Sequence, residues 1–446
     1  MLTTQYQGGH VASVRDRVGT QKVEPSRLGL NVERLVLGNG LTVLLSPEPT
    51  AATAAVNMTF RAGTLFEPQN RAGMAHMVEH VMLRGRTPDT DYVAMLEEHG
   101  VVFLNAFTSA EFMSFELEVM PSAVPLAIWV NTDRLATLPQ KLEANDLPRH
   151  RSVVDVERIL RTVDVPFGAI DLAISRKLFP PPHPMRASVI GRPEELEQVT
   201  LRDVRTFVAR YLVPANAIFT VTGRFDPAEV KAQLEQTLGR LPPGRRAVPP
   251  RRSSIEGKPR RYQMREYRAR QPRVSVLWRL EGLGQRDRDA LTIGGLLLSN
   301  YVDGAFGTQV RAGLSPTEGA AFFRLDVTLP YDKPVDAATA EAEVFLRYLT
   351  AVDMPRDYFN ATRLAVDRML LFMLDSVRGR AQVITQLELN GEDPTRTEAM
   401  SQRLWRLNRQ AIRHVAWRYL IRDRGRLVVH ARPVRPRLPK LSWEDR

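Results

Sequence analysis

The stretch His76-Met77-Val78-Glu79-His80 places two imidazoles four residues apart, with a carboxylate one residue before the second. On an α-helix, positions i and i+4 share one face with Cβ atoms about 5–6 Å apart, so both rings can reach one metal ion. Glu79 follows His76 by three residues, shares that face, and can contact a water on the same ion. Two histidines, a carboxylate that is not a ligand and an open coordination position are what zinc-dependent hydrolysis requires. The stretch therefore predicts a helix that carries a hydrolytic metal site.

The order H-x-x-E-H is the reverse of the commoner H-E-x-x-H and is known as the inverzincin form. The chain has 8 histidines in 446 residues, and at this composition the pentapeptide arises by chance in about one chain per hundred. A second alternative is a helix whose histidines are polar surface groups or satisfied core groups. Three suitable residues on one helical face favour the metal site over both alternatives.

A catalytic zinc site usually has a third protein ligand. Glu157 lies 77 residues after His80 and is the best candidate. Asp155 is its local competitor, and a glutamate on a solvated helical face is the alternative. Apolar residues around Glu157 recur at helical spacing and predict a buried face, with the acidic side chains on or near the opposite face. The residues of that predicted face are Val153, Val156, Ile159 and Leu160.

With these residues the chain resembles the M16 family of zinc peptidases, the group of pitrilysin, insulysin and the mitochondrial processing peptidase. The family pattern is H-x-x-E-H followed by a ligand glutamate at about the distance of Glu157. The resemblance covers roughly residues 30–435. Further segments that resemble family features are the opening hairpin Val36–Leu44, the helix entry Gly73-Met74-Ala75, the strand Asn105-Ala106-Phe107-Thr108 beside the zinc, the loop His183-Pro184 with Ile190-Gly191, and the closing strand Pro214–Gly223.

The resemblance implies one Zn²⁺ ion per chain and a zinc endopeptidase reaction on short or unfolded peptides. Glu79 would be the general base, and the strand with Asn105 and Ala106 would pair with an extended peptide substrate. The zinc ligands that the resemblance implies are His76, His80 and Glu157.

In M16 enzymes the second domain supplies an arginine and a tyrosine that hold the substrate near the zinc. Arg311 matches the arginine, but the segment Gly319–Phe323 has no tyrosine at the expected place. Some bacterial members are heterodimers in which one subunit brings zinc and the other brings this pair. We therefore expect a hetero- or homodimer with another M16-like chain, in which this chain bears the zinc. A non-catalytic M16-like scaffold or partner subunit is the alternative.

The order of predicted elements indicates an α+β protein with two structurally similar domains, each a mostly antiparallel sheet packed with helices. The family resemblance implies that they form one half of a clamshell. The two halves end alike, with Val204–Leu212 and Ile412–Leu420 each leading into an apolar strand. The predicted domains span 27–245, with the metal motif, and 273–446, without it; residues 246–272 form a Pro/Arg-rich linker. A basic arm that binds nucleic acid is the alternative for this linker, but no recognition motif or interleaved aromatic residues accompany its charge.

Hydrophobic periodicity predicts the positions of the individual elements. The predicted strands span 32–46, 53–61, 101–106, 112–119, 216–222, 261–267, 272–280 and 425–432. The predicted helices span 70–84, 90–98, 123–137, 142–162, 168–178, 200–212, 226–238, 285–300, 335–350, 355–374, 377–390 and 407–420.

His150 stands seven residues before Glu157, where many relatives have an acidic residue. An ordinary surface histidine is the simpler interpretation. The alternative is a changed environment around the metal ligands, which can alter metal affinity 10–100-fold.

Composition limits the remaining classes of protein. The chain is 43% hydrophobic and 25% charged, as in ordinary globular proteins. It has no apolar run long enough to span a membrane, and its first residues lack the apolar segment of a signal peptide. The absence of cysteine excludes disulfides and thiolate chemistry. We expect a soluble bacterial protein of the periplasm or cytoplasm. Its net charge of +12 favours acidic peptides, and nucleic acid is not expected as a partner.

Overall fold

The computed structural model describes residues 29–181, 183–248, 260–280, 282–301, 308–315, 321–351, 354–422 and 426–434. Its first half contains six strands: β1 (Glu33–Val36), β2 (Thr42–Pro47), β3 (Ala54–Phe60), β4 (Val101–Thr108), β5 (Met113–Val119) and β6 (Ala217–Gly223). They form one sheet in the order β1-β2-β6-β3-β5-β4. Only β2 and β6 run parallel; the other neighbours are antiparallel. Because β4 is the last strand in this order, one of its edges is open to a further strand.

Within the described residues, nine α-helices accompany this sheet: α1 (Met74–Arg84), α2 (Tyr92–Glu98), α3 (Val124–Ala136), α4 (Leu138–Lys141), α5 (Leu147–Arg158), α6 (Gly168–Leu178), α7 (Pro193–Leu196), α8 (Leu201–Tyr211) and α9 (Pro227–Gln236). A π-helical turn at Ile159–Val163 continues α5. Helices α1, α3, α8 and α9 contribute to the main core against one face of the sheet. Helix α8 illustrates the local cause: Thr200 and Asp203 form a capping box at its start, and its apolar residues then recur on one side.

In the part of the second half that the structure describes, this plan is repeated with five strands: β7 (Arg260–Glu266), β8 (Arg273–Arg279), β9 (Gln309–Leu314), β10 (Phe322–Thr328) and β11 (Leu427–Pro433). Their order is β7-β11-β8-β10-β9, with β7 and β11 parallel. The helices are α10 (Gln285–Tyr301), α11 (Val335–Thr350), α12 (Arg356–Asp375), α13 (Val377–Leu389), α14 (Glu398–Arg406) and α15 (Arg409–Ala416). A separate apolar core lies between this sheet and its helices.

Each half lends one helix to the sheet of the other. Helix α6 packs its Ile170, Ile174 and Leu178 against the second sheet. Helix α13 covers the first sheet, where Ile384 contacts Ile218 of β6 and neighbouring apolar residues. Both faces of β3 and β6 are therefore buried along their whole length. The exchange makes each sheet depend on the other half for its cover.

Two buried hydroxyls on the α13 side of the first sheet are satisfied by α13 itself. The hydroxyls of Thr220 and Thr385 lie 2.7 Å apart, and Thr222 donates to the carbonyl of Val377 over 2.6 Å. Buried hydroxyls need such partners, because a polar group without a hydrogen bond costs about 1–3 kcal/mol in a protein interior. These bonds fix the register of α13 on β6.

A buried carboxylate adds an ionic link between the halves. Glu388 of α13 accepts two hydrogen bonds from Arg34, at 2.8 and 3.0 Å, and one from Arg61 at 3.3 Å. Arg61 also donates to the backbone carbonyls of Glu388 and Leu389. The network stabilises the docking of α13 because breaking a buried ion pair leaves an uncompensated charge.

The predicted α+β fold with two similar sheets is confirmed. The strands at 309–314 and 322–328 and the helix at 398–406 were not predicted from periodicity. The helix predicted over 142–162 is shorter than expected, since a 3₁₀ turn precedes it and a π-helical turn ends it. Strand β7 lies inside the segment predicted as a linker and belongs to the second sheet; residues 249–259 of that segment lie outside the described residues. The domain boundaries stay a prediction.

Candidate metal centre

Helix α1 begins at a tight contact between two glycines. Gly73 has a φ of +91° and a Cβ there would lie 2.7 Å from the Cα of Gly191. The first turn of α1 contains no acidic residue of its own, so its free N–H groups are met by residues from outside. Glu67 accepts from Gly73 and Ala75, and Glu195 accepts from Ala72. These contacts set the position of α1, and with it the metal-binding motif.

The two predicted histidine ligands lie one turn apart on α1, with ring centroids separated by 4.8 Å. Their Nε2 atoms face the same carboxylate oxygen of Glu157, which α5 brings from across the core. The Oε2 atom of Glu157 is 3.6 Å from Nε2 of His76 and 3.1 Å from Nε2 of His80. One ligand atom from each residue lies within 4.8 Å of the others, so the three side chains could hold a metal ion.

These separations fit zinc. Ligand atoms at about 2.0–2.1 Å from a tetrahedral zinc ion stand about 3.3 Å from one another. The observed distances of 3.1 and 3.6 Å bracket this value. A donor set of two imidazoles and one carboxylate also matches catalytic zinc sites, which keep a fourth position open.

Burial favours the neutral form of both imidazoles, which is the form that binds metal. Burial, followed by the charge of His80, lowers the pKa of His76 to about 4. Burial likewise lowers the pKa of His80, although the carboxylate of Glu157 opposes the shift. The second oxygen of Glu157, Oε1, accepts from the Arg161 guanidinium at 2.7 Å. Arg161 stands one helical turn after Glu157, so the i,i+4 spacing could have revealed this contact in the sequence.

Glu79 lies beside the three candidate ligands and is 5% exposed. Its Oε2 accepts a hydrogen bond of 2.5 Å from the hydroxyl of Thr108, at the end of β4. Burial raises the pKa of Glu79 to about 7, and the charge of Glu157 adds to the increase. A carboxyl group with a pKa near neutrality suits proton transfer in both directions. The hydrogen bond from Thr108 to Glu79 was not predicted, although Thr108 belongs to the strand Asn105-Ala106-Phe107-Thr108 that resembles a family feature.

The predicted buried face of α5 is wrong. Val153, Val156 and Leu160 are 47%, 55% and 63% exposed, and Ile159 is also at the surface. The buried side is formed by Leu147, His150 and Val154, and Glu157 continues that row at the same spacing. Two apolar stripes compete on this helix, and the one that leads to the candidate ligand Glu157 packs inward against α1.

His150 is therefore a buried residue, and its interpretation as an ordinary surface histidine is wrong. Its side chain is 8% exposed. Burial lowers the pKa of His150 to about 4, and the charge of His80 contributes next. The neutral ring lies two turns before Glu157 on the inward row of α5.

The residues predicted to contact substrate lie on edge strands. Asn105 is exposed on β4, and Ala106 is partly buried against the main core. Arg311 is exposed on β9, the last strand of the second sheet, opposite Asp326 of β10. Within the described part of the chain, Arg311 forms no hydrogen bond or ion pair with the candidate ligands. The structure thus joins His76, Glu79, His80 and Glu157 and leaves Arg311 on the other sheet.

No helix in the described part of the chain is both long enough and apolar enough to span a membrane.

Comparison with known proteins agrees with this arrangement. The sequence model of the family described as "Insulinase (Peptidase family M16)" matches residues 42–159, and that described as "Peptidase M16 inactive domain" matches residues 198–363. An uncharacterized zinc protease of Mycobacterium tuberculosis is 29% identical over 294 residues, 65% of each chain. The probable mitochondrial-processing peptidase subunit beta of Schizosaccharomyces pombe is 26% identical over 267 residues, 58% of this chain and 56% of that protein. The chain thus spans slightly less than two thirds of the length of the first of these relatives and just over half of the second.

A protease from Helicobacter pylori has the same fold, with a TM-score of 0.82 at 18% identity over 91% of this chain and 100% of that one. The protein has two α+β halves, each of which packs one helix on the sheet of the other, and it carries the inverted histidine motif. Together these features define a metallopeptidase-like protein. The chain belongs to peptidase family M16.

Proposed function

We propose that this chain is a zinc-dependent endopeptidase that cleaves short or unfolded peptides. The observation that carries the proposal is the convergence of His76, His80 and Glu157 around one point, with the buried carboxylate of Glu79 beside them. The names of the relatives, zinc protease and mitochondrial-processing peptidase, support the same chemistry.

The three candidate ligands would hold one Zn²⁺ ion per chain. When bound, the ion supplies Lewis acidity: it makes water acidic enough to lose a proton near neutral pH, and it polarises a carbonyl group. Neutral imidazoles and an ionised Glu157 are the ligand forms that this binding needs. The position of Arg161, which binds the other oxygen of Glu157, leaves Oε2 directed at the two rings.

Glu79 would take a proton from the attacking water and return it to the leaving amine. Its elevated pKa supports both transfers, because a group titrating near the working pH gives and accepts protons readily. The hydroxyl of Thr108 holds Oε2 of this carboxylate, which leaves Oε1 to meet the water. Positioning of this kind lowers the cost of reaching the reactive geometry.

The open edge of β4 would bind the substrate by strand addition. The main-chain groups of Asn105 and Ala106 would pair with an extended peptide, so that recognition depends more on shape than on sequence. Because Thr108 of the same strand contacts Glu79, a peptide paired with β4 runs past the general base. Arg311 would reach the substrate from the second half.

A second M16-like chain would complete the active site, as a heterodimer or a homodimer. The relative named subunit beta supports such pairing. The segment expected to supply a tyrosine, 319–323, has none; residues 316–320 lie outside the described residues. The enzyme would work in the periplasm or cytoplasm of a bacterium.

The proposal is tested with quenched fluorescent peptides and the full chain loaded with one equivalent of zinc, alone and with its candidate partner. Glu79→Gln should abolish cleavage while zinc content measured by atomic absorption stays the same. Glu97→Gln, at an exposed position of α2, is the matched control and should cleave like wild type. The proposal is overturned if wild type cleaves no peptide that the Glu79→Gln variant leaves intact.

A non-catalytic M16-like subunit is the second candidate. The match of residues 198–363 to a domain described as inactive favours it for the second half of the chain. The metal cluster lies outside that match, within residues 42–159. Zinc binding without any cleavage in the experiment above would support this candidate.

A further inference from the structure

An open surface cavity of about 580 Å³, lined by both apolar and polar side chains, lies where α12 ends and α13 begins. Three large side chains of α12 line it and remain well exposed: Met369 at 54%, Phe372 at 70% and Met373 at 37%. Exposed apolar clusters of this kind commonly mark binding sites, since covering them removes apolar surface from water.

The cavity adjoins the open edge strand of the first sheet. Arg378, which lines it, places its guanidinium 3.9 Å from the ring centroid of Phe103 on β4. The same guanidinium pairs with Glu118 of β5 at 3.0 Å, directly beside Phe103 in the sheet register. Gln382, another lining residue, donates to Glu116 of β5 over 3.0 Å. The cavity is therefore connected to β4 through Arg378, which lines the cavity and contacts Phe103.

A strand added to β4 would bring side chains to this point. Successive side chains of a strand alternate between the two faces of a sheet. Those on the α13 face would lie about 4.5–5.5 Å from their cross-strand neighbours on β4, which puts one of them beside Phe103 and Arg378. Thr108, which contacts the general base, is five residues from Phe103 on the same strand, or about 17 Å at 3.4 Å per residue.

We propose that this cavity is a specificity site that takes a large apolar side chain of the substrate, about five residues from the scissile bond. The inference rests on the proposed function, because it requires a peptide paired with β4. The lining of Met369, Phe372 and Met373 favours phenylalanine, leucine or methionine. Arg378 is neutralised by Glu118, whereas Arg368, another residue that lines the cavity, forms no ion pair within the described part of the chain. A lysine or arginine at this substrate position is therefore disfavoured.

The test measures binding separately from cleavage. The zinc-loaded Glu79→Gln chain is titrated by fluorescence anisotropy with labelled 14-residue peptides of serine, glycine and alanine that contain one phenylalanine, alanine or lysine. The phenylalanine peptide should bind about tenfold more tightly than the alanine peptide, which corresponds to about 1.4 kcal/mol, because burying the larger side chain removes more apolar surface from water. The lysine peptide should bind no better than alanine.

Adding Met369→Ala and Phe372→Ala should reduce the phenylalanine preference to less than twofold. Leu364→Ala, an exposed apolar residue of α12 outside the cavity, is the matched control and should keep it. In wild type, mass spectrometry should map cleavage four to six residues from the phenylalanine. A preference that survives the double substitution, or is absent from the start, overturns the inference. If wild type cleaves no peptide, the proposed function is overturned instead. The binding measurements do not depend on cleavage and still test the specificity site.

Discussion

The burial of His150 has a measurable consequence for stability in acid. Its side chain is 8% exposed, and burial is the main reason that its pKa falls to about 4. An unfolded histidine has a pKa of about 6.5. As the pH falls below 6.5, the unfolded chain takes up a proton at this residue while the folded chain does not. As the pH decreases from about 6.5 to about 4, the free energy of unfolding therefore decreases, because the unfolded state binds more protons than the folded state in this range.

The two pKa values give the magnitude. Between pH 7.5 and pH 5, protonation of His150 favours the unfolded state by about 1.4 logarithmic units, which corresponds to about 2 kcal/mol at 1.36 kcal/mol per unit. His150→Gln removes the titrating group and keeps a polar side chain of similar size. Relative to the variant, wild type should lose about 2 kcal/mol more stability over this interval.

The assay is urea-induced unfolding of the metal-free chain, followed by circular dichroism at the two pH values. Metal is removed because a bound ion would itself oppose protonation of the neighbouring imidazoles. His99→Gln, at an exposed position, is the control and should follow wild type. Equal losses for wild type and His150→Gln would refute the burial argument.

Three further substitutions test other contacts. Glu388→Ala should destabilise the chain by about 3–5 kcal/mol in thermal or urea unfolding, because it leaves two arginines without their buried partner. The control is Lys141→Ala, which removes an exposed ion pair and should change stability by less than about 1 kcal/mol. Gly168→Ala should lower the free energy of unfolding by at least about 1–3 kcal/mol, since the added Cβ would lie 1.8 Å from a backbone oxygen. At Gly38 an added Cβ meets nothing within 4 Å, so equal stability of Gly168→Ala and Gly38→Ala would contradict this. Thr108→Val should leave the zinc content unchanged and lower the rate of peptide cleavage, because it removes the hydrogen bond that holds the general base; a variant with full activity would show that this bond is dispensable.

Local spacing made the first part of the metal centre predictable. His76, Glu79 and His80 lie within two turns of one helix, and helical geometry alone places them on one face. The extent of most helices and strands was also predictable from apolar periodicity. Strands β9 and β10 were missed, although in β10 the apolar residues Phe323, Leu325 and Val327 alternate with polar ones at the period of a half-buried strand.

The inward face of α5 was decided by tertiary packing. Periodicity allowed two apolar stripes, one through Val153, Val156 and Leu160 and one through Leu147 and Val154. A helix in isolation gives no preference between them, since burial depends on what the helix meets. Contact with α1 selected the second stripe, and with it the inward position of Glu157 and the burial of His150.

The exchange of α6 and α13 between the sheets and the bond from Thr108 to Glu79 also follow from the tertiary structure. These contacts join residues that are 29 to 354 positions apart, as for Thr108 with Glu79 and Arg34 with Glu388. The sequence by itself determined that His76 and His80 could bind one metal ion, because their motif is local. Only the folded chain determined what surrounds that motif, because burial and long-range hydrogen bonds exist only after the halves have packed together.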